Sequence, residues 1–177
     1  MGKDIKEYIR TVPDFPKQGV MFRDVTTLFA DADGFRLMLD QLQAAVGELD
    51  IDAVVGIDAR GFIIGGALAD RLGVGFVPIR KKGKLPADTF EEEYELEYGS
   101  AVLELHQDAV AEDTNVLLVD DLIATGGTIL AAAKLLDKVG ANIKACAFIV
   151  SLPDLRGEAK LVAAGHNIVS LCRYDGD

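Results

Sequence analysis

Short β-branched runs alternate with longer segments of helical period along most of the chain, and that alternation dictates a parallel sheet with helices on its faces. The candidate strands are residues 53–57, 75–79, 116–120, 143–150 and 168–171. Between them Phe35, Met38, Leu39, Leu42, Ala45, Val46 and Leu49 fall on one helical face, as do Ile129, Ala132, Ala133, Leu136 and Val139. Asp33 is placed to cap a helix start, and Gly73 and Gly140 to stop helices. At 177 residues, with no repeat, linker or low-complexity tract, the chain is expected to form one α/β domain over 1–177 with a core large enough to fold alone.

Charge removes several functions. With 18 Lys plus Arg against 29 Asp plus Glu, the net charge is −11. No cationic footprint exists for a phosphate backbone, so nucleic acid is not an expected partner. The longest nearly apolar run, residues 62–69, is far short of the ~20 residues of a spanning helix, and the charged start lacks a signal peptide's apolar stretch. No membrane association and a cytoplasmic location are expected. Cys146 and Cys172 each lie in apolar stretches and read as small buried hydrophobes; with His106 and His166 they give no zinc-ligand spacing.

Residues 80–99 break the alternation. Arg80, Lys81, Lys82 and Lys84 stand at the front and Glu91, Glu92, Glu93, Glu95 and Glu97 behind, without helical or strand period for most of the length. A structureless insertion longer than ~12–15 residues in a compact domain is disordered or a functional lid. This one follows a strand's carboxyl end, where open α/β sheets bind ligands, and so reads as a lid rather than a solvated charged loop.

The most informative run is Val119-Asp120-Asp121-Leu122-Ile123-Ala124-Thr125-Gly126-Gly127-Thr128. An apolar strand ends in two carboxylates, and a small-residue turn then feeds a helix N-terminus. Such a turn presents successive backbone N–H groups, and Gly126 and Gly127 let it close around an anion. Thr125 and Thr128 add hydroxyls. No Lys follows the glycines, so a nucleoside triphosphate loop is excluded, and a monophosphate fits. The adjacent Asp120 and Asp121 would repel an anion unless they take ribose hydroxyls, or magnesium at one remove.

This run resembles the phosphoribosyl pyrophosphate fingerprint of type I phosphoribosyltransferases. Three more segments resemble the adenine phosphoribosyltransferases: residues 15–26 around Phe22-Arg23-Asp24; Gly56-Ile57-Asp58-Ala59-Arg60-Gly61-Phe62; and Gly83-Lys84-Leu85-Pro86 with Leu96-Glu97-Tyr98-Gly99. The resemblance covers nearly the whole chain. It implies that adenine and phosphoribosyl pyrophosphate give AMP and pyrophosphate with Mg2+, in a homodimer with a hood at about residues 1–30 and a lid at about 81–99. On matching positions, Asp120 and Asp121 would hold the ribose hydroxyls and reach magnesium through water, the metal being held mainly by substrate oxygens. Ala124, Thr125, Gly126, Gly127 and Thr128 would hold the 5-phosphate. Ala59, Arg60 and Gly61 would form the pyrophosphate loop, supported by Arg80, Lys81 and Lys84. Phe22, Arg23 and Leu152 would frame adenine, Tyr98 would join the substrate contacts, and Glu97 would be the catalytic acid or base. Gln18 stands where many relatives have proline and Ala59 where serine is common, changes that leave backbone binding intact.

Each assignment has a plainer counterpart: Arg60 as a surface residue, Phe22 as core, Glu97 as part of a solvated glutamate face. Two other functions stay open, transfer to xanthine, hypoxanthine or guanine, and a phosphoribosyl pyrophosphate sensor without turnover. Ala124 bears on the first, because hypoxanthine and guanine enzymes typically carry Asp there. The net charge does not forbid a polyanionic substrate, since the Debye length is ~8 Å at physiological salt and Arg60, Arg80, Lys81 and Lys84 are local.

Overall fold

The computed structural model describes residues 4–95 and 99–176. A 3-10 turn, Ile5–Tyr8, leads into β1 (Arg10–Pro13) and β2 (Met21–Asp24), which pair antiparallel as a separate two-stranded sheet. Then follow α1 (Thr26–Ala30), α2 (Ala32–Val46), β3 (Ala53–Ile57), α3 (Arg60–Leu72), β4 (Gly75–Lys81), β5 (Thr89–Glu95) and β6 (Ser100–His106). The chain continues through β7 (Asn115–Ile123), α4 (Gly127–Lys138), β8 (Asn142–Ser151), α5 (Gly157–Ala163) and β9 (Ile168–Arg173). The large sheet has seven strands in the order β5-β6-β4-β3-β7-β8-β9. Strands β4, β3, β7, β8 and β9 run parallel, and β5 and β6 are antiparallel additions at one edge.

The five parallel strands are those expected from the sequence. All five residues of β3 are buried, as a strand covered on both faces requires. Successive side chains feed two cores: Val54, Leu117, Val119, Ala145 and Ala147 pack with α2 and α3, while Val55, Ile57, Leu118, Cys146 and Phe148 pack with α4. Since α3 and α4 lie on opposite faces and β3 sits between β4 and β7, the chain reverses its winding between β3 and β7. The carboxyl ends of those two strands therefore open a crevice, the usual ligand position in such sheets.

Three expectations need correction. Asp31, not Asp33, caps α2, its Oδ1 accepting from the amides of Asp33 at 3.0 Å and Gly34 at 2.9 Å. Ala45 is exposed and Leu49 lies beyond the end of α2. The described part of residues 80–99 is not structureless: β5 pairs antiparallel with β6 from Thr89–His106 to Glu95–Ser100. Its β5 strand does alternate, with Phe90, Glu92 and Tyr94 on the less exposed side. The pattern is masked because the inward position 92 is a glutamate, held by Lys134 Nζ at 3.1 Å and Lys138 Nζ at 2.8 Å of α4.

Cys146 and Cys172 are buried as expected, and burial pushes their thiols up to about 12 and about 11. Among the described residues no helix is long and apolar enough to cross a membrane.

Candidate active site

β7 runs apolar and buried through Val116, Leu117, Leu118 and Val119, then delivers Asp120 and Asp121 to the crevice. The turn beyond it ends at Gly126, which caps α4 at φ +83° without any side-chain cap. A Cβ at Gly126 would come 3.1 Å from Gly157 Cα, so both conformation and space demand glycine. A Cβ at Gly127 would meet only ordinary contacts within the protein, the nearest Glu95 O at 3.4 Å. No described residue accepts a hydrogen bond from the amides of Thr125, Gly126, Gly127 or Thr128. Those of Gly126, Gly127 and Thr128 are orphan donors of a helix start, where the helix dipole also favours an anion, and the Thr125 amide adjoins them. They line a cavity of about 210 Å³ with Arg60, Asp120 and Asp121.

Arg60 begins α3 directly after the carboxyl end of β3, with Ala59 as the cap residue. Its Nε donates to Asp121 Oδ2. Burial alone would lower the Arg60 pKa, but the bond to Asp121 and the charges of Asp121 and Asp120 raise it, so the guanidinium stays charged. Gly61 lets α3 approach β7, since a Cβ there would stand 2.8 Å from Val119 O. Asp120 Oδ1 accepts from the Asp121 amide at 2.9 Å. Burial, then the neighbouring Asp121 charge, push the Asp120 carboxyl well above its usual range.

Arg80 and Lys84 are organised by a residue without an assigned role, Asp58. Its buried carboxylate takes Lys84 Nζ at 3.2 Å and Arg80 Nε at 3.4 Å. Burial raises its pKa, but the Lys84 bond and charge prevail and the net shift is downward. Glu104 of β6 was also missed. Almost fully buried, it accepts from the amides of Gly83 (3.0 Å), Lys84 (2.7 Å) and Leu85 (2.6 Å), and those bonds overcome burial to keep its pKa low. Lys81 ends β4, exposed.

A second, more apolar cavity of about 440 Å³ lies against the hood, lined by Val12, Phe15, Phe22, Arg23, Asp24, Val25, Thr26 and Arg60. Phe15 and Phe22 meet edge to face at 5.0 Å between ring centroids. Phe15, half exposed, is a missed residue whose signal in the sequence is an aromatic between Asp14 and Pro16 at the head of the 15–26 segment. Arg23 Nη1 donates to Thr11 Oγ1 at 2.8 Å, and its guanidinium lies 4.2 Å from the centroid of the Tyr174 ring. Asp24 is lowered to about 2, first by the Thr26 hydroxyl and then by Arg10. Leu152 lines neither cavity; it packs against the α2 and α3 core, and its amide donates to Ile123 O at 3.0 Å. Glu97 and Tyr98 lie outside the described residues. Arg60 is common to both cavities, so the site lined by free amides and the aromatic site share one wall.

A nest of free amides beside paired carboxylates at a sheet switch point is the frame of a phosphoribosyl-transferring protein, and the family profile described as phosphoribosyl transferase domain matches residues 33–167. Over 175 residues the chain is 58% identical to the adenine phosphoribosyltransferase of Jannaschia sp. (strain CCS1), covering 98% of this chain and 97% of that one. Against the adenine phosphoribosyltransferase of Chlorobium chlorochromatii (strain CaD3) it is 59% identical, with coverages of 98% and 99%. The crystal structure of the Thermoanaerobacter pseudethanolicus enzyme of the same name superposes with a TM-score of 0.92 at 48% identity over 96% of this chain and 98% of that one. The Saccharomyces cerevisiae enzyme, solved with an iminoaltritol bisphosphate and adenine, gives 0.89 at 39% identity over 95% and 96%. The chain belongs to the adenine phosphoribosyltransferases.

Proposed function

We infer that the chain makes AMP and pyrophosphate from adenine and phosphoribosyl pyrophosphate, a purine-salvage reaction. The observation that carries this reading is the shared Arg60 wall between the amide nest and the aromatic cavity, because a nucleoside monophosphate has those two ends. The 5-phosphate takes the free amides of residues 125–128 and the hydroxyls of Thr125 and Thr128. Asp120 and Asp121 accept from the ribose hydroxyls. To do so Asp121 exchanges Arg60 for a hydroxyl, and Arg60 turns to the pyrophosphate with Arg80, Lys81 and Lys84. Adenine lies against Phe15 and Phe22.

The bond from the ribose anomeric carbon to a pyrophosphate oxygen breaks, and a bond to purine N9 forms from the opposite face. Guanidinium and ammonium groups stabilise the charge that gathers on the departing pyrophosphate. The proton that adenine loses goes to a base, for which Glu97 is the candidate by its place in Leu96-Glu97-Tyr98-Gly99. Magnesium fits Asp120 and Asp121 at one remove, their hard carboxylate oxygens accepting from its bound water. No cluster of three metal-ligating side chains occurs among the described residues, so substrate oxygens and water would complete its shell. Bound there, it would neutralise pyrophosphate charge. A homodimer and a cytoplasmic location belong to the same reading; a solution mass near twice 19.0 kDa by light scattering would support the first.

The test is pyrophosphate release with adenine, hypoxanthine, guanine and xanthine. Adenine is expected to lead, and comparable kcat/KM for hypoxanthine would overturn the base assignment. Glu97→Gln should bind substrates normally while kcat falls by roughly 10² or more; near-normal kcat would remove Glu97 from the mechanism.

A further inference from the structure

Helix α5 lies behind the phosphate turn and meets two successive carbonyls of it. The Gly157 amide donates to Ala124 O at 2.9 Å, and Lys160 Nζ donates to Thr125 O at 2.9 Å. The contact is close: a Cβ at Gly157 would stand 2.3 Å from Ala124 O. In a trans peptide the C=O and N–H point in opposite directions, and the peptides of the turn are trans. Fixing the Ala124 and Thr125 carbonyls toward α5 therefore turns the Thr125 and Gly126 amides away from it. Those two amides are unbonded among the described residues and line the phosphate cavity. Lys160 does not line that cavity but the groove on the other side of the turn, with Glu93, Tyr94 and Glu95 of β5.

We propose that Lys160 is a positioning residue of the phosphate turn, holding the Thr125 carbonyl so that the Gly126 amide stands ready for a phosphate monoester. The inference rests on the transferase reading for the identity of the ligand. Triphosphate-binding loops carry a lysine immediately after their glycines; here that position is Thr128, and α5 brings a cation to the turn from the rear, 35 residues after Thr125. A neutral donor could satisfy the same carbonyl. An ammonium also polarises the Thr125–Gly126 peptide, strengthening its N–H as a donor to an anion. Asp120 and Asp121 line the same cavity, so positive character added to the turn offsets their charge.

The experiment titrates Lys160→Met and Lys160→Arg with ribose 5-phosphate and AMP by calorimetry and measures both substrates' KM. Lys160→Met should weaken ribose 5-phosphate and AMP, and raise KM for phosphoribosyl pyrophosphate, by roughly tenfold, the scale of one charge-assisted hydrogen bond. KM for adenine and kcat at saturation should stay within about twofold, because uniform binding is lost rather than transition-state binding. Lys160→Arg should recover most of the affinity. Unchanged ribose 5-phosphate binding in Lys160→Met, an Arg variant as weak as the Met variant, or an equal rise in adenine KM would each overturn the role. Should the Met variant lose its circular dichroism, Lys160→Gln, a donor without charge, carries the same test, with wild-type affinity as the contrary result. Wild-type protein that binds ribose 5-phosphate but forms no AMP would overturn the transferase reading while leaving the Lys160 comparison valid.

Discussion

Asp120 and Asp24 show how a single carboxylate is tuned in opposite directions by its surroundings. Asp24 accepts from the Thr26 hydroxyl at 2.6 Å and amide at 2.9 Å and pairs with Arg10, which lowers it to about 2. The stability it contributes is complete above the ordinary Asp value of about 3.9 and is lost as pH falls from there through about 2. Asp24→Asn should flatten that part of an acid unfolding curve. Asp120 is raised, so its charge costs stability once pH exceeds the ordinary value, and the cost persists at neutral pH. Asp120→Asn is therefore expected to raise the thermal midpoint while weakening phosphoribosyl pyrophosphate binding, a trade between stability and function checked by scanning fluorimetry beside calorimetry. Loss of both together would mean that the carboxylate is structural. The two glycines of the turn separate in the same way: Gly126→Ala should lose roughly 1–3 kcal/mol of stability by strain at positive φ, whereas Gly127→Ala should fold normally.

At the scale of elements, Glu104 decides the shape of the β4 to β5 connection. Three amides of residues 83–85 converge on its buried carboxylate, fixing the backbone that carries Lys84 to Asp58. Glu104→Ala leaves those amides unpaired, at a cost of roughly 3 kcal/mol. It should also raise KM for phosphoribosyl pyrophosphate and speed trypsin cleavage after Lys82 and Lys84; unchanged cleavage would show that the turn holds without it. Neither Glu104 nor Asp58 was legible beforehand, because each binds groups about 20 residues distant in sequence whose approach depends on the sheet order. The central strands were legible because burial on both faces forces continuous apolar runs. The β5 strand was hidden by Glu92, whose inward place makes sense only with Lys134 and Lys138 across from it, and β1 and β2 by shortness: four residues each, none buried. The phosphate turn was legible because it is local, with carboxylates, glycines and helix start inside ten consecutive residues. The base cavity was less so, since Val12, Phe15 and Val25 join Phe22 only through the folding of the hood.

Across the whole molecule, a protein of net charge −11 gathers Arg60, Arg80 and Lys84 where two strand ends open, while distant carboxylates are screened over ~8 Å. The two cavities are carried by different parts of the chain, the amide nest by β7 and α4, the aromatic cavity by the hood, and they meet at Arg60. That division predicts how binding energy partitions along AMP. Thr128→Val removes a hydroxyl from the phosphate end and should weaken ribose 5-phosphate and AMP by about 1 kcal/mol without touching adenine. Phe15→Ala removes half of the aromatic pair and should weaken adenine and AMP while leaving ribose 5-phosphate at its wild-type affinity. In the double variant the two losses in AMP binding should add to within about 0.5 kcal/mol, as expected of sites without shared partners. Pairing either change with Arg60→Met should break additivity, because Arg60 lines both cavities. Calorimetry of the three ligands against this set reads the partition directly. Strong coupling between Thr128 and Phe15 would mean that the hood and the phosphate turn close as one unit, and strict additivity with Arg60 would mean that its guanidinium does not join the two halves.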